Sequence, residues 1–143
     1  MELEALQAAH PEFMAAEATL VAISPQLNKF SQQIVHKHGL AFPVLSDPGN
    51  TVAREFGLKF TLPSYLQEVY RGFGLDLPRY NGDESWTLPL PARFIIDSQG
   101  RVCHADVSVD YTVRPEPEQT LNILESLNAA SSSLDAMKTK PGE

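Results

Sequence analysis

Paired cysteine chemistry is missing from this sequence. Cys103 is the only cysteine among 143 residues, so neither an internal disulfide nor a CxxC pair can form within the chain. Basic clusters are also scarce: 11 Lys and Arg stand against 18 Asp and Glu, a net charge of -7, and no face gathers cations for a nucleic acid. The apolar runs all fall far short of the roughly 20 residues that cross a bilayer. A secretory leader would need a cationic start and an apolar centre, and Glu2, Glu4, Glu12 and Glu17 stand there instead. The expectation is a cytoplasmic protein with no membrane and no nucleic-acid partner. There are no internal repeats, and a composition of 43% hydrophobic and 20% charged residues suits one soluble domain with one core.

The most specific stretch runs from Leu88 to Val102. Phe94 to Ile96 is a short β-branched run, and Asp97-Ser98-Gln99-Gly100 is polar turn chemistry, so a hairpin into Val102 to Val107 follows. Pro91 has no N-H for a ladder and must lie just before the strand. On the returning strand, alternation predicts a buried face carrying Cys103, Ala105 and Val107.

Upstream, Leu3, Leu6 and Phe13 mark the inner side of a helix over Glu2 to Ala16, which Pro11 should kink or divide. Glu17 stands where a left-handed Gly commonly closes a helix. Thr19 to Ile23 reads as a central parallel strand covered on both faces. Ser24-Pro25 supplies an N-cap and first-turn proline for a helix through Leu27, Phe30 and Ile34, stopped by Gly39, and Phe42 to Leu45 completes a βαβ unit. Asp47-Pro48 repeats the device before a short helix with Val52, Ala53 and Phe56. Residues 61 to 87 read as an insertion, with Leu66, Val69, Tyr70 and Phe73 on a helix and then a loop through Tyr80, Gly82 and Trp86. After the elbow Arg114-Pro115-Glu116-Pro117, a closing helix over Pro117 to Leu127 carries Leu121, Leu124 and Leu127 inward. The expected organisation is one domain over 1–128 and a disordered tail over 129–143.

Three stretches together carry a resemblance: Leu20-Val21-Ala22-Ile23-Ser24, Phe42 through Pro48, and Pro91 through Gly100. They resemble the peroxiredoxin-like proteins of the alkyl hydroperoxide reductase and thiol-specific antioxidant (AhpC/TSA, redoxin) family, within the thioredoxin superfamily. Leu77 through Pro91 resembles the insertion of the branch with a Trp-Cys-Pro-Tyr-Cys type active site. The resemblance implies an α/β thioredoxin-like fold, a central mixed sheet flanked by helices, with a helical and loop insertion before a cis-Pro strand at Leu90-Pro91. It also implies thiol-dependent reduction of hydroperoxides or disulfides, with a thiol reductant such as thioredoxin or glutathione, and a homo-oligomer among the expected states.

Met1 through Leu6 resembles the part of the active-site helix that follows the family's cysteines, so the domain is expected to be truncated at its N-terminus and this chain inactive. The alternative is a non-catalytic thioredoxin-fold interaction module. No residue is assigned a catalytic, cofactor-binding or metal-ligating role, and no cofactor is expected. Cys103 is read as a structural buried thiol and Arg93 as a strand or surface residue rather than a peroxide-orienting group. His36 and His38 do not face one another, and His10 and His104 have no evident partner. Trp86 is read equally as a groove lining beside Pro91 and as a plug for the insertion.

Overall fold

Pro11 does not divide the first helix. In the computed structural model, which describes residues 2–108 and 116–138, α1 runs unbroken over Glu2–Ala15 with Pro11 inside it. Pro11 lies on the exposed side, where the Gln7 carbonyl that its missing N-H leaves free can meet water. Leu6, Ala9 and Phe13 form the buried stripe. The chain leaves α1 through Glu17 in the left-handed region (φ 60°), which lets the Ala18 N-H donate to the Phe13 carbonyl at 3.0 Å.

The βαβ unit forms as expected, with shorter strands. β1 (Ala22–Ser24) pairs in parallel with β2 (Val44–Ser46), and α2 (Asn28–His38) connects them. Ser24 is not the helix cap, because α2 begins four residues later; the Ser24 hydroxyl instead accepts the Gln26 N-H in a local turn. Gly39, left-handed, closes α2. Val21 and Ile23 are exposed, so β1 is covered on one face rather than two.

A 3-10 turn (Pro48–Asn50) then leads into α3 (Thr51–Glu55). The Asp47 carboxylate reaches past the turn and accepts the N-H groups of Val52 (3.0 Å) and Ala53 (2.9 Å), two of the donors a helix start leaves unpaired. β3 (Lys59–Thr61) and β4 (Thr87–Pro89) pair antiparallel and form the neck of the insertion, which holds α4 (Ser64–Gly72) and α5 (Leu77–Asn81). The insertion docks on the start of α2. The Leu27 N-H donates to the Tyr80 carbonyl at 2.8 Å, Phe30 meets the Tyr80 ring edge-on, and Gly82 passes so close that an added Cβ would lie 2.8 Å from Leu27 Cδ2.

β5 (Ala92–Ile96) and β6 (Val102–Val107) make the expected hairpin, with a register shift between Ile95 and Ile96. α6 (Pro117–Lys138) closes the fold and continues well past Leu127. Once its first turns are anchored by Leu121 and Leu124, each further residue adds a bond without a new nucleation cost. Residues 139–143, and Arg114 and Pro115 of the elbow, lie outside the described residues.

Among the described residues the strands pair as three two-stranded ladders, β1-β2, β3-β4 and β5-β6, set around the helices of the expected α/β fold. Each described strand spends its pairing on one neighbour, and four of the six strands are only three residues long. The layers nevertheless share one core. Leu6, Ala9 and Phe13 of α1 pack with Leu40, Phe42, Val44, Leu121 and Leu124, and Leu20, Ala22 and Ile95 lie against this cluster. Full burial of a Phe or Leu contributes about 1.5–3 kcal/mol, so these side chains dominate the fold's stability.

Candidate functional site

The Leu90-Pro91 bond is not cis: among the described residues no cis peptide bond occurs. The extended segment serves two ladders in succession. The Leu90 N-H donates to the Leu58 carbonyl at 2.8 Å, continuing β4 on β3, and the Pro91 carbonyl accepts the Ser108 N-H at 3.0 Å, continuing β5 on β6. A trans bond keeps the chain extended between these two contacts, whereas a cis bond would fold it back.

Two residues on, Arg93 sits at the junction of three elements. Its guanidinium donates to Thr120 Oγ1 of α6 at 2.9 Å and to Glu2 Oε1 of α1 at 3.0 Å, and the side chain is only 14% exposed. It is a strand residue, as expected, but faces inward and is engaged. The arrangement brings the start of β5 against the first turn of α1. Glu2 and Glu4 lie in that turn, where a helix N-terminus favours anions. His38 Nδ1, from the last turn of α2, lies 2.8 Å from Glu4 Oε1. The two basic side chains therefore hold the first turn of α1 from opposite neighbours.

Cys103 is exposed, which overturns the expectation of a buried thiol. The whole face is reversed, since Ala105 and Val107 are exposed with it. Ile95 pairs with His104 and Ile96 with Val102, so Cys103 is the extra residue of a bulge. Since Arg93 and Ile95 point toward α6 and the core, their partners Asp106 and His104 are the half-buried side of β6. The thiol donates to the Arg101 carbonyl at 3.7 Å.

The other singled-out residues remain scattered. The His10 ring lies tilted against Phe42 with centroids 5.9 Å apart, and His36 is exposed. Among the described residues, no three His, Cys, Asp or Glu side chains come together as metal ligands. Trp86 is a plug: it is buried, its φ is 55°, and the Arg71 guanidinium covers its ring at 4.8 Å. Hydrogen bonds from the Ser85 side chain and backbone hold the Asp83 carboxyl below the usual carboxylate range, and the Arg101 backbone N-H does the same for Asp97 in the hairpin turn.

Sequence reasoning missed Asn50. It is buried and left-handed, and its amide donates to Thr87 O and Oγ1, both at 3.1 Å, tying the 3-10 turn to the insertion neck. The Asp-Pro-Gly-Asn sequence signals a turn, but nothing local names Thr87 as the partner.

A helical layer under a parallel βαβ unit, followed by a proline-led antiparallel hairpin and a closing helix, defines a thioredoxin-like α/β protein. Solved structures share this fold. Peroxidoxin BcpB from Mycobacterium tuberculosis superposes with a TM-score of 0.64 at 20% identity, over 87% of this chain and 68% of that one. The bacterioferritin comigratory protein of Xanthomonas campestris gives 0.64 at 21% identity, with the same coverage of 87% and 68%. AhpC of Enterococcus faecalis gives 0.66 at 18% identity, over 99% and 71%. No curated protein sequence matches significantly. Residues 1–105 match the AhpC/TSA family, and the chain belongs to that family.

Proposed function

We propose that this chain is the scaffold of a thiol-dependent antioxidant oxidoreductase, acting on hydroperoxides or disulfides with a thiol reductant such as thioredoxin or glutathione in a cytoplasmic setting. The family match over residues 1–105 carries this reading. It is supported by the name of one structural neighbour, the Xanthomonas campestris protein, which reports alkyl peroxide reduction. In that chemistry a thiolate sulfur bonds to one peroxide oxygen as the O-O bond breaks; the other oxygen leaves as an alkoxide that takes up a proton. The sulfur is oxidised to a sulfenic acid, which a second thiol converts to a disulfide with loss of water.

Nucleophiles of this kind rely on a helix N-terminus or a neighbouring cation. Cys103 lies instead on β6, with a carbonyl as its contact. The residues that would bear on a thiolate at the start of α1 are Arg93, which binds Glu2, and His38, which binds Glu4.

The expected outcome is therefore that the 143-residue chain, incubated with hydrogen peroxide or a small alkyl hydroperoxide and dithiothreitol, consumes oxidant no faster than the uncatalysed mixture. Turnover that vanishes in Cys103→Ser would make the exposed thiol the nucleophile and overturn this reading of the chain.

A further inference from the structure

Helix α4 turns an apolar ridge toward solvent. Tyr65, Val69 and Phe73 recur every four residues and are 70%, 48% and 78% exposed, with Leu75 beside them at 49%. The other side of the helix is occupied. Leu66, Gln67 and Tyr70 are half-buried, and Gln67 Nε2 donates to the Leu62 carbonyl at 2.8 Å. Arg71 is held over the buried Trp86. Rolling the helix to bury the ridge would break these contacts, so the exposure is built into the fold. An aromatic side chain presents about 150–250 Å², so Tyr65 and Phe73 alone expose roughly 200–350 Å². That is the size at which a contiguous apolar patch on a monomer is often functional.

We infer that α4 is the surface through which two copies of this chain pair, ridge against ridge, about a twofold axis near Val69. A ridge of four-residue spacing is complementary to itself: such ridges interdigitate with helix axes crossing near -50°. A twofold contact uses the same patch on both copies and sets Tyr65 of one against Phe73 of the other. Gly72 lies on the same face, and an added Cβ there would meet nothing within 4 Å, leaving open ground for a neighbouring helix.

Charge selects the same place. The chain carries -7, so copies repel one another over most of the surface, but residues 64–81 set Glu68 and Asp76 against Arg71 and Arg79 and are neutral. Counted on both copies, the four apolar side chains and their flanks approach the roughly 1,000 Å² that a specific interface requires.

Sedimentation equilibrium and light scattering on the whole chain test this, alongside Val69→Glu and Phe73→Glu. Tyr65→Ser is a milder third variant in case either charge disturbs folding, and circular dichroism checks each fold first. The expected result is a reversible dimer whose dissociation constant rises at least about tenfold in each folded variant, a loss of about 1.4 kcal/mol. A wild-type monomer at the highest soluble concentrations would overturn the inference. So would a dimer insensitive to all three substitutions, or one lost on Ile23→Lys alone, which would move the contact to β1. A monomer that co-sediments with phosphatidylcholine vesicles would assign the ridge to lipid, and that too would overturn it.

Discussion

Glu17 carries backbone strain that glycine would relieve. A side-chain-bearing residue in the left-handed region costs about 1–2 kcal/mol, and at φ 60° Glu17 bears that cost to keep the Ala18 to Phe13 hydrogen bond. Glycine's greater freedom in the unfolded chain takes back about 0.5–1 kcal/mol. Glu17→Gly is therefore expected to stabilise the chain by about 0.5–1 kcal/mol in urea unfolding, and a loss of stability would mean that the Glu17 side chain makes a compensating contact. This strain is visible in the sequence, because a helix that ends before a strand without Gly has few other ways to turn. Asn50 and Trp86 adopt the same conformation without such a signal, since their geometry follows from Thr87 and Arg71, which are distant or nonadjacent in sequence.

At the scale of elements, α3 depends on a residue outside it. It has five residues, too few to hold itself together, and the buried Asp47 carboxylate satisfies two of its first N-H groups from beyond the 3-10 turn. Asp47→Ala leaves both donors facing the protein and is expected to cost about 1–3 kcal/mol. Asp47→Asn, which keeps one acceptor, should recover part of that loss. Guanidinium unfolding of the three proteins makes the comparison, and equal midpoints would show that water replaces the carboxylate. The sequence reading placed a cap at Asp47-Pro48 correctly. The same device at Ser24-Pro25 misled, because the backbone runs three residues further before α2 begins and its start is set by the Tyr80 carbonyl on Leu27.

In the whole molecule, the core lies between α1, α6 and the inward sides of β1, β2 and β5, while the opposite sides of β1 and β2 present Val21, Ile23 and Leu45 to solvent. Exposed side chains of this kind contribute little to folding and much to association of heated chains. The double substitution Ile23→Thr with Leu45→Thr puts a β-branched residue at both exposed strand positions, so stability is expected to stay within about 0.5 kcal/mol. Heat-induced turbidity should develop more slowly. A large drop in the unfolding midpoint would mean that these two side chains are buried in the state that unfolds in solution.

Residue spacing and turn chemistry by themselves determined the βαβ unit, the hairpin with its Asp97-to-Gly100 turn, and the inner residues of α1 and α6, because each rests on neighbours within a few positions. Tertiary structure decided what depends on distant partners. The alternation of β6 held, but packing turned His104 and Asp106 inward and so left Cys103, with Ala105 and Val107, in solvent. Leu58 and Ser108, from two different ladders, hold the Leu90-Pro91 segment extended and trans. Arg93 became the link between α1 and α6 because Glu2 and Thr120 meet it there, 91 and 27 residues away in sequence. A single strand encodes which side chains share a face, but which face turns inward is chosen by whatever packs against it.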